Sequence, residues 1–419
     1  MAELFRRARR EVVPMLNYLL DWLGLLVRWI HIITGIAWIG ASFYFVWLDN
    51  HLQPPEDRDA AESGIGGELW AVHGGGFYRA QKFRLAPTVL PATLHWFYWE
   101  AYSTWLSGFV LLGLLYFLRA DAYLIDPQVA ALTAPAAIAI ALAFMIGSWL
   151  AYDALCRSAL GRRPPTVAAI LGLLLAAEAW GLCRLFSGRG AFMVFGAAIG
   201  TIMVANVLFV IIPGQRELVH AKKQGRDPDP GPGLRGKQRS VHNTYFTMPV
   251  LFVMISNHYA MTFGARYNWL VLVAICFAGA SIRYWFVARH KAVERAGHTP
   301  VLPAVLGLLA LVAVIVALSP VHELSAAGRG AGAEPVGAER VEWIVQARCV
   351  PCHARKPTQF GFAAPPNGLV LETVDQLVAH LPEVRKQLVA HTMPLGNLTQ
   401  MSEPDRQSLL SWIDAGAPH

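Results

Sequence analysis

Ala191-Phe-Met-Val-Phe-Gly-Ala-Ala-Ile-Gly-Thr-Ile-Met-Val-Ala-Asn-Val-Leu-Phe-Val-Ile-Ile212 carries no charged side chain from end to end. A helix needs about 20 consecutive apolar residues to cross the hydrocarbon of a bilayer, and this stretch supplies them. Seven further runs are similar, at roughly 17–47, 101–118, 133–156, 166–186, 242–264, 268–288 and 300–320. The first is the least pure, because it holds Arg28 and His31. Residues 85–100 form a possible half-span, interrupted by Pro87 and Pro91. The composition agrees. Of 419 residues, 55% are hydrophobic and 15% charged, and mean hydropathy is +0.40. A soluble domain carries about 25% charged residues. The expected fold is all-α: a polytopic membrane helical bundle of about eight spans, fused to a small soluble tail.

The bundle should occupy residues 1–322, an Ala/Gly-rich flexible linker 323–338, and the tail 339–419. In the tail, helices are expected leading into Cys349, over about 372–390, and from Ser402 to Ala415. Ser402 with Asp405 three residues on reads as a capping box. Residues 213–241, dense in Pro and Gly, read as a polar loop. The apolar run behind Arg6-Arg7-Ala8-Arg9-Arg10 is too long for a signal-peptide core, which spans about 7–15 residues, so it stays in the membrane.

Lysine and arginine set the expected orientation. The 213–241 loop holds seven, the 156–165 and 289–299 turns three each, and residues 49–100 four. The alternate loops 119–132, 187–190 and 265–267 carry one each. The rich loops therefore belong in the cytoplasm and the tail outside. The N-terminal arginines run against this pattern. The net charge of +7 resides mostly in loops and reports topology. No basic face with nucleic-acid readout motifs appears, so a nucleic-acid partner is not expected.

Cys349-Val-Pro-Cys352-His353 is the C-x-x-C-H spacing of covalent haem c attachment. The thiols form thioethers with the haem vinyl groups and His353 is the proximal iron ligand. A zinc site would need a second Cys or His pair, and the tail has no other cysteine. A thioredoxin-like dithiol would need a βαβ setting. Met393, in His391-Thr-Met393-Pro-Leu-Gly-Asn397, is the expected distal ligand, with Met401 the rival and His391 an outsider. The tail thus reads as a class I-type cytochrome c domain. Cys156, Cys183 and Cys276 lie in apolar runs and read as inert.

Ionisable groups inside spans mark functional sites. His31 shares a helix face with Arg28, beside Gly35 and Gly40, and is a candidate ligand for a non-covalent haem b; the alternative is a histidine hydrogen-bonded between helices. His242 and His258 are 16 residues apart, about 24 Å of helix rise, so they sit near opposite membrane faces. His258 falls nearer the tail, and both are candidate haem ligands. Arg283 needs a buried partner. Before the second span, Gly74-Gly-Gly76-Phe-Tyr-Arg79-Ala-Gln81-Lys82 and His95-Trp-Phe-Tyr-Trp-Glu100 combine cations with rings. They read either as an interfacial aromatic belt or as a pocket for a flat anion.

Together these segments resemble the bacterial membrane-bound urate oxidases, also called cytochrome c urate oxidases or urate hydroxylases. Arg28-Trp-Ile-His31, Gly66-Gly-Glu-Leu-Trp-Ala-Val-His73-Gly-Gly-Gly76-Phe-Tyr, Leu94-His-Trp-Phe-Tyr-Trp-Glu100, His242-Asn-Thr-Tyr-Phe-Thr-Met-Pro249, Met254-Ile-Ser-Asn-His258-Tyr and the C-x-x-C-H tail carry the likeness. Residues 24–50 also resemble the first helix of smaller haem-binding membrane proteins, including a protoporphyrinogen oxidase family. The resemblance implies oxidation of urate with water to 5-hydroxyisourate. Electrons would pass through membrane haem to the fused haem c, and on to a soluble cytochrome or terminal oxidase, without peroxide. It implies the bacterial inner membrane, with the cytochrome domain periplasmic. The resemblance supplies no catalytic residues; the residues themselves suggest Arg79 or Lys82 to hold the anion and His95 or Glu100 to take a proton. The rival readings are a membrane dehydrogenase or quinol oxidase for another small molecule, and a non-enzymatic electron-transfer subunit.

Overall fold

The computed structural model describes residues 2–296, 299–319, 336–359, 362 and 364–418. Helix α1 (Ala2–His51) leads into a β-hairpin of β1 (Ile65–His73) and β2 (Gly76–Phe83). Then follow α2 (Trp99–Leu112), α3 (Ala134–Arg157), α4 (Pro164–Leu185), α5 (Gly188–Asn206), α6 (Ile212–Lys223), α7 (Pro230–Ser256), α8 (Asn268–Ala296) and α9 (Leu302–Ala317). A π-helical turn, Val207–Ile211, joins α5 to α6 without a break in the rod. Five of these rods are long and apolar enough to cross a membrane: α1, α3, α4, α5–α6 and α8. Helix α9 is apolar but shorter.

Helix α5 is the centre. Phe192, Phe195, Ile199 and Ile202 are buried along it, against Tyr152 of α3, Leu182 of α4, and Phe246, Val250 and Val253 of α7. Contact with α7 is close enough that a β-carbon at Gly196 would lie 2.5 Å from Val253 Cγ1. Large apolar side chains such as Ile36, Leu173 and Ile315 face outward. A soluble protein avoids so broad an apolar exterior, whereas lipid accommodates it.

The chain is mostly helical, as the all-α reading expects. Three details differ. First, a two-stranded hairpin is added to the helices. Gly74 and Gly75 both take positive φ (56° and 80°), which a two-residue turn matched to the strand twist requires, and His73 pairs with Gly76 across it. Its base is pinned to the end of α1 by reciprocal Gln53–Glu68 backbone bonds of 2.9 and 2.8 Å. Second, the 213–241 segment is mostly helical. Pro230 and Pro232 sit in the first turn of α7, where no amide donor is needed, and Asp229 caps that turn by accepting from Gly231 N. Third, residues 85–98 form no half-span, and helix begins only at Trp99.

The tail has its own core of Val341, Ile344, Leu377, Met401, Leu409 and Trp412. Helix α10 (Ala338–Ile344) runs through a π turn into α11 (Val350–His353); α12 (Val374–Val378), α13 (Leu381–Val389) and α14 (Glu403–Asp414) complete it. The expected 372–390 helix is thus two helices, split at residues 379–380. The Ser402–Asp405 capping box forms. The expected linker, up to residue 335, lies outside the described residues.

The tail sits against the lysine- and arginine-poor end of the bundle. A β-carbon at Gly396 would lie 2.6 Å from Ala122 O and 2.7 Å from Asp121 O, and one at Gly264 would lie 2.5 Å from Ala390 O. Gly396 also has φ +54°. Gly396→Val therefore adds left-handed strain of about 1–3 kcal/mol to a steric clash. We expect it to lift the tail from residues 121–122, read as faster hydrogen exchange of the 120–126 amides. Unchanged exchange would contradict this docking.

Candidate functional site

The hairpin positions two of the expected anion-binding cations, and the structure gives each an acid. Arg79 donates to Glu68 Oε2 through Nε (3.0 Å) and Nη2 (2.6 Å), and Gln81 Nε2 approaches the same oxygen at 3.3 Å. The Arg79 hydrogen bonds, working against burial, hold the Glu68 carboxyl below its ordinary range. The guanidinium also lies 5.4 Å from the Trp70 ring centre. Lys82 Nζ pairs with Asp49 at 2.6 Å, at the end of α1. Alternate strand residues face opposite ways, so Arg79 and Lys82 do not converge. His95 is exposed, edge-on to Phe97 at 4.6 Å. Glu100, in the first turn of α2, has a buried Oε2 without a hydrogen-bond partner among the described residues.

Inside the bundle, His31 Nδ1 lies 3.0 Å from Thr104 O and 3.1 Å from Ser107 Oγ, linking α1 to α2. A carbonyl only accepts, so Nδ1 carries the hydrogen and Nε2 keeps its lone pair. The imidazole rests on the backbone of Gly108, where a β-carbon would meet its Cε1 at 2.8 Å. His258 is exposed just past α7, beside Asn257, whose Oδ1 accepts from Tyr116 at 3.2 Å. Arg283 stacks on Phe43 at 3.6 Å; its Nε and Nη2 find no hydrogen-bond partner among the described residues.

His242 belongs to a buried network that composition did not disclose. Tyr152 O–H lies 2.8 Å from His242 Nδ1 and accepts from Asn206 Nδ2 at 3.1 Å. Asn206 Nδ2 also donates to Asn243 Oδ1 (2.9 Å), and Asn243 Nδ2 to Met203 O (2.9 Å). Tyr152 has His242 as the acceptor for its hydrogen, which engages the Nδ1 lone pair and sets His242 apart from His31. Arg239 covers the Tyr152 ring at 4.8 Å and donates to Asp153 Oδ1 at 2.8 Å. The signal for this network was Asn206 inside the purest apolar run.

In the tail, His353 is buried and its Nδ1 lies 2.9 Å from Leu369 O. As at His31, the carbonyl takes the Nδ1 hydrogen and leaves Nε2 free, the arrangement of an oriented metal-binding imidazole. Cys349 and Cys352 are free thiols. Burial, and then Cys352, push the Cys349 thiol up to about 12; burial also raises Cys352. A redox dithiol needs the opposite shift. Met401 is buried in the tail core, while Met393 is half-buried at the turn before Gly396. Arg406 Nη1 donates to Leu388 O (3.0 Å) and Met393 O (2.8 Å), fixing that turn. Burial, then Arg406, lower the pKa of His391. Among the described residues no group of three or more His, Cys, Asp or Glu side chains could hold a metal ion; a haem iron needs only axial ligands.

Asp405 ties the 393–401 segment to the Cys349 helix. It pairs with Arg340 and Arg348, and Arg348 donates to Thr399 O at 2.5 Å. Burial works against the Asp405 carboxylate, but hydrogen bonds from Ser402 and the charges of Arg340 and Arg348 outweigh it and lower its pKa. A depressed folded pKa contributes stability that is present above the unfolded value and lost as pH falls through the folded one. Asp405→Asn should destabilise the tail by about 1–3 kcal/mol at pH 7, read by calorimetry of the full chain. The deficit should shrink as pH falls below the ordinary aspartate range. A deficit independent of pH would contradict this assignment.

A family model described as "Urate oxidase N-terminal" matches residues 17–318, the larger part of the chain. No curated protein and no solved structure matches.

Proposed function

The chain belongs to the urate oxidase N-terminal family, and on that premise we propose that it oxidises urate at a membrane without making peroxide. Urate and water give 5-hydroxyisourate, two protons and two electrons, and a one-electron acceptor would take the electrons singly. In this reading Cys349 and Cys352 would hold haem c with His353 and Met393 as ligands to its iron, at least one of His31 and His258 would hold a haem b, and these groups would supply one-electron acceptors. A soluble cytochrome or terminal oxidase takes the electrons onward. The bundle crosses the bacterial inner membrane eight times, with the tail on the periplasmic side.

One observation carries the reading. A region of a urate oxidase family is joined in one chain to a C-x-x-C-H segment whose histidine has Nδ1 committed to Leu369 O. The chain's own residues contribute orientation. Thr104 and Leu369 carbonyls hold the hydrogens of His31 and His353 on Nδ1. Arg406 fixes the Met393 turn, and Gly396 lets the tail approach the bundle. Arg79 and Lys82 are neutralised by Glu68 and Asp49, so urate needs a cation elsewhere. His95 and Glu100 remain the proposed proton acceptors at the hairpin side; Glu100 Oε2 has no hydrogen-bond partner among the described residues.

Two measurements test this. Denaturing gels stained for haem should show a full-length band that Cys352→Ala removes. Purified protein given urate and an artificial one-electron acceptor should form 5-hydroxyisourate with no peroxide. Stoichiometric peroxide, or a haem-negative wild-type band, would refute the cytochrome-coupled reading. Turnover of a quinol but not urate would favour the quinol oxidase reading.

A further inference from the structure

On the lysine- and arginine-rich end of the bundle, α3, the α5–α6 junction and the start of α7 enclose a cleft of about 290 Å³. That is near the lower end of small-molecule sites, about 300–1,000 Å³. Its floor is Arg239, only 3% exposed, whose Nη2 is bound to Asp153 while Nη1 has no hydrogen-bond partner among the described residues. A buried guanidinium N–H without an acceptor is costly, and Arg239 is among the residues lining this space. At the mouth stands Arg235, which forms no ion pair among the described residues. The one acid in the lining, Glu217, is already paired with Arg226. Arg239 shares Asp153 with Arg157, so the net positive charge of the lining comes from Arg235.

Its other walls suit a flat ring. Phe209 lies in the lining, backed by Trp149 at 5.1 Å. Gln238 spends its Nε2 on Gly161 O (2.7 Å), which leaves Oε1 to accept an N–H. Cys156, also in the lining, touches His242 Nδ1 at 3.9 Å, so the cleft abuts the Tyr152–His242–Asn206 network.

We propose that this cleft binds the urate monoanion, with Arg239 Nη1 and Arg235 on its carbonyl oxygens, Gln238 Oε1 on a ring N–H, and Phe209 against its face. The assignment rests on the urate reading above, adds the place and side of binding, and moves the substrate away from His95 and Glu100, which are not in this lining. Urate enters from the lysine- and arginine-rich face, opposite the tail. Planarity and ring N–H donors distinguish it from a phospholipid headgroup, the other anion available at this depth.

Equilibrium dialysis of radiolabelled urate against the dithionite-reduced full chain measures binding without turnover. Arg239→Gln and Arg235→Gln should each weaken it about tenfold to a hundredfold, and Gln238→Leu should weaken it less. Arg235 is exposed, so its variant tests the site even if Arg239→Gln fails to fold. Wild-type affinity in Arg235→Gln and Gln238→Leu, with urate still oxidised, would overturn the site and spare the reading. Loss of co-purifying anionic lipid in these variants with urate affinity intact would assign the cleft to a headgroup and also overturn the proposal. If the wild type neither binds nor oxidises urate, the reading and the site fall together.

Discussion

A polar side chain surrounded by apolar helices and lipid must find its partner within the protein, and the arrangement of this bundle follows from how that is met around α5. Asn206 projects from the most apolar run in the chain and is fully buried. It reaches Tyr152 on α3 and Asn243 on α7, and Tyr152 reaches His242. These bonds set the rotation of three helices about one another. Close contact at Gly196 and Val253 sets the spacing of α5 and α7. Once these are fixed, the ends of α3, α6 and α7 meet at the arginine-lined cleft, and the opposite ends of the bundle meet the tail.

Apolar runs were legible as helices, five of which are long and apolar enough to cross a membrane, and the Ser402 capping box appears as read. What was misread shares a cause. Pro and Gly each have two structural uses. Gly74-Gly75 makes a hairpin turn and not part of a binding loop, and Pro230 starts a helix and does not interrupt one. Pairing was also invisible. Arg79 and Lys82 look like free cations until Glu68, 11 residues before Arg79, and Asp49, 33 before Lys82, are brought across by the hairpin and the end of α1. Arg239 looked like one of seven loop cations and is instead a buried guanidinium on a tyrosine ring.

The two ends of the molecule divide the proposed chemistry. The cleft is charged and opens where the cationic loops lie; the tail, with its paired cysteines and oriented His353, sits over residues 121–126 at the far end. Between His242 and the end of α7 at Ser256 lies roughly 21 Å of helix rise. Electrons taken from a substrate at the cleft would therefore need a carrier within the bundle to reach the tail. His31, with Nδ1 held by Thr104 and Nε2 free, is the interior imidazole best prepared to support one.

The central claim is that urate and the tail belong to one reaction. Rapid mixing of the oxidised full chain with urate under nitrogen, followed in the visible haem bands, tests it most directly. Reduction of a c-type spectrum, saturating with urate concentration and accompanied by 5-hydroxyisourate, is the predicted result. A c-type spectrum that stays oxidised with urate present and reduces only on adding dithionite would contradict it.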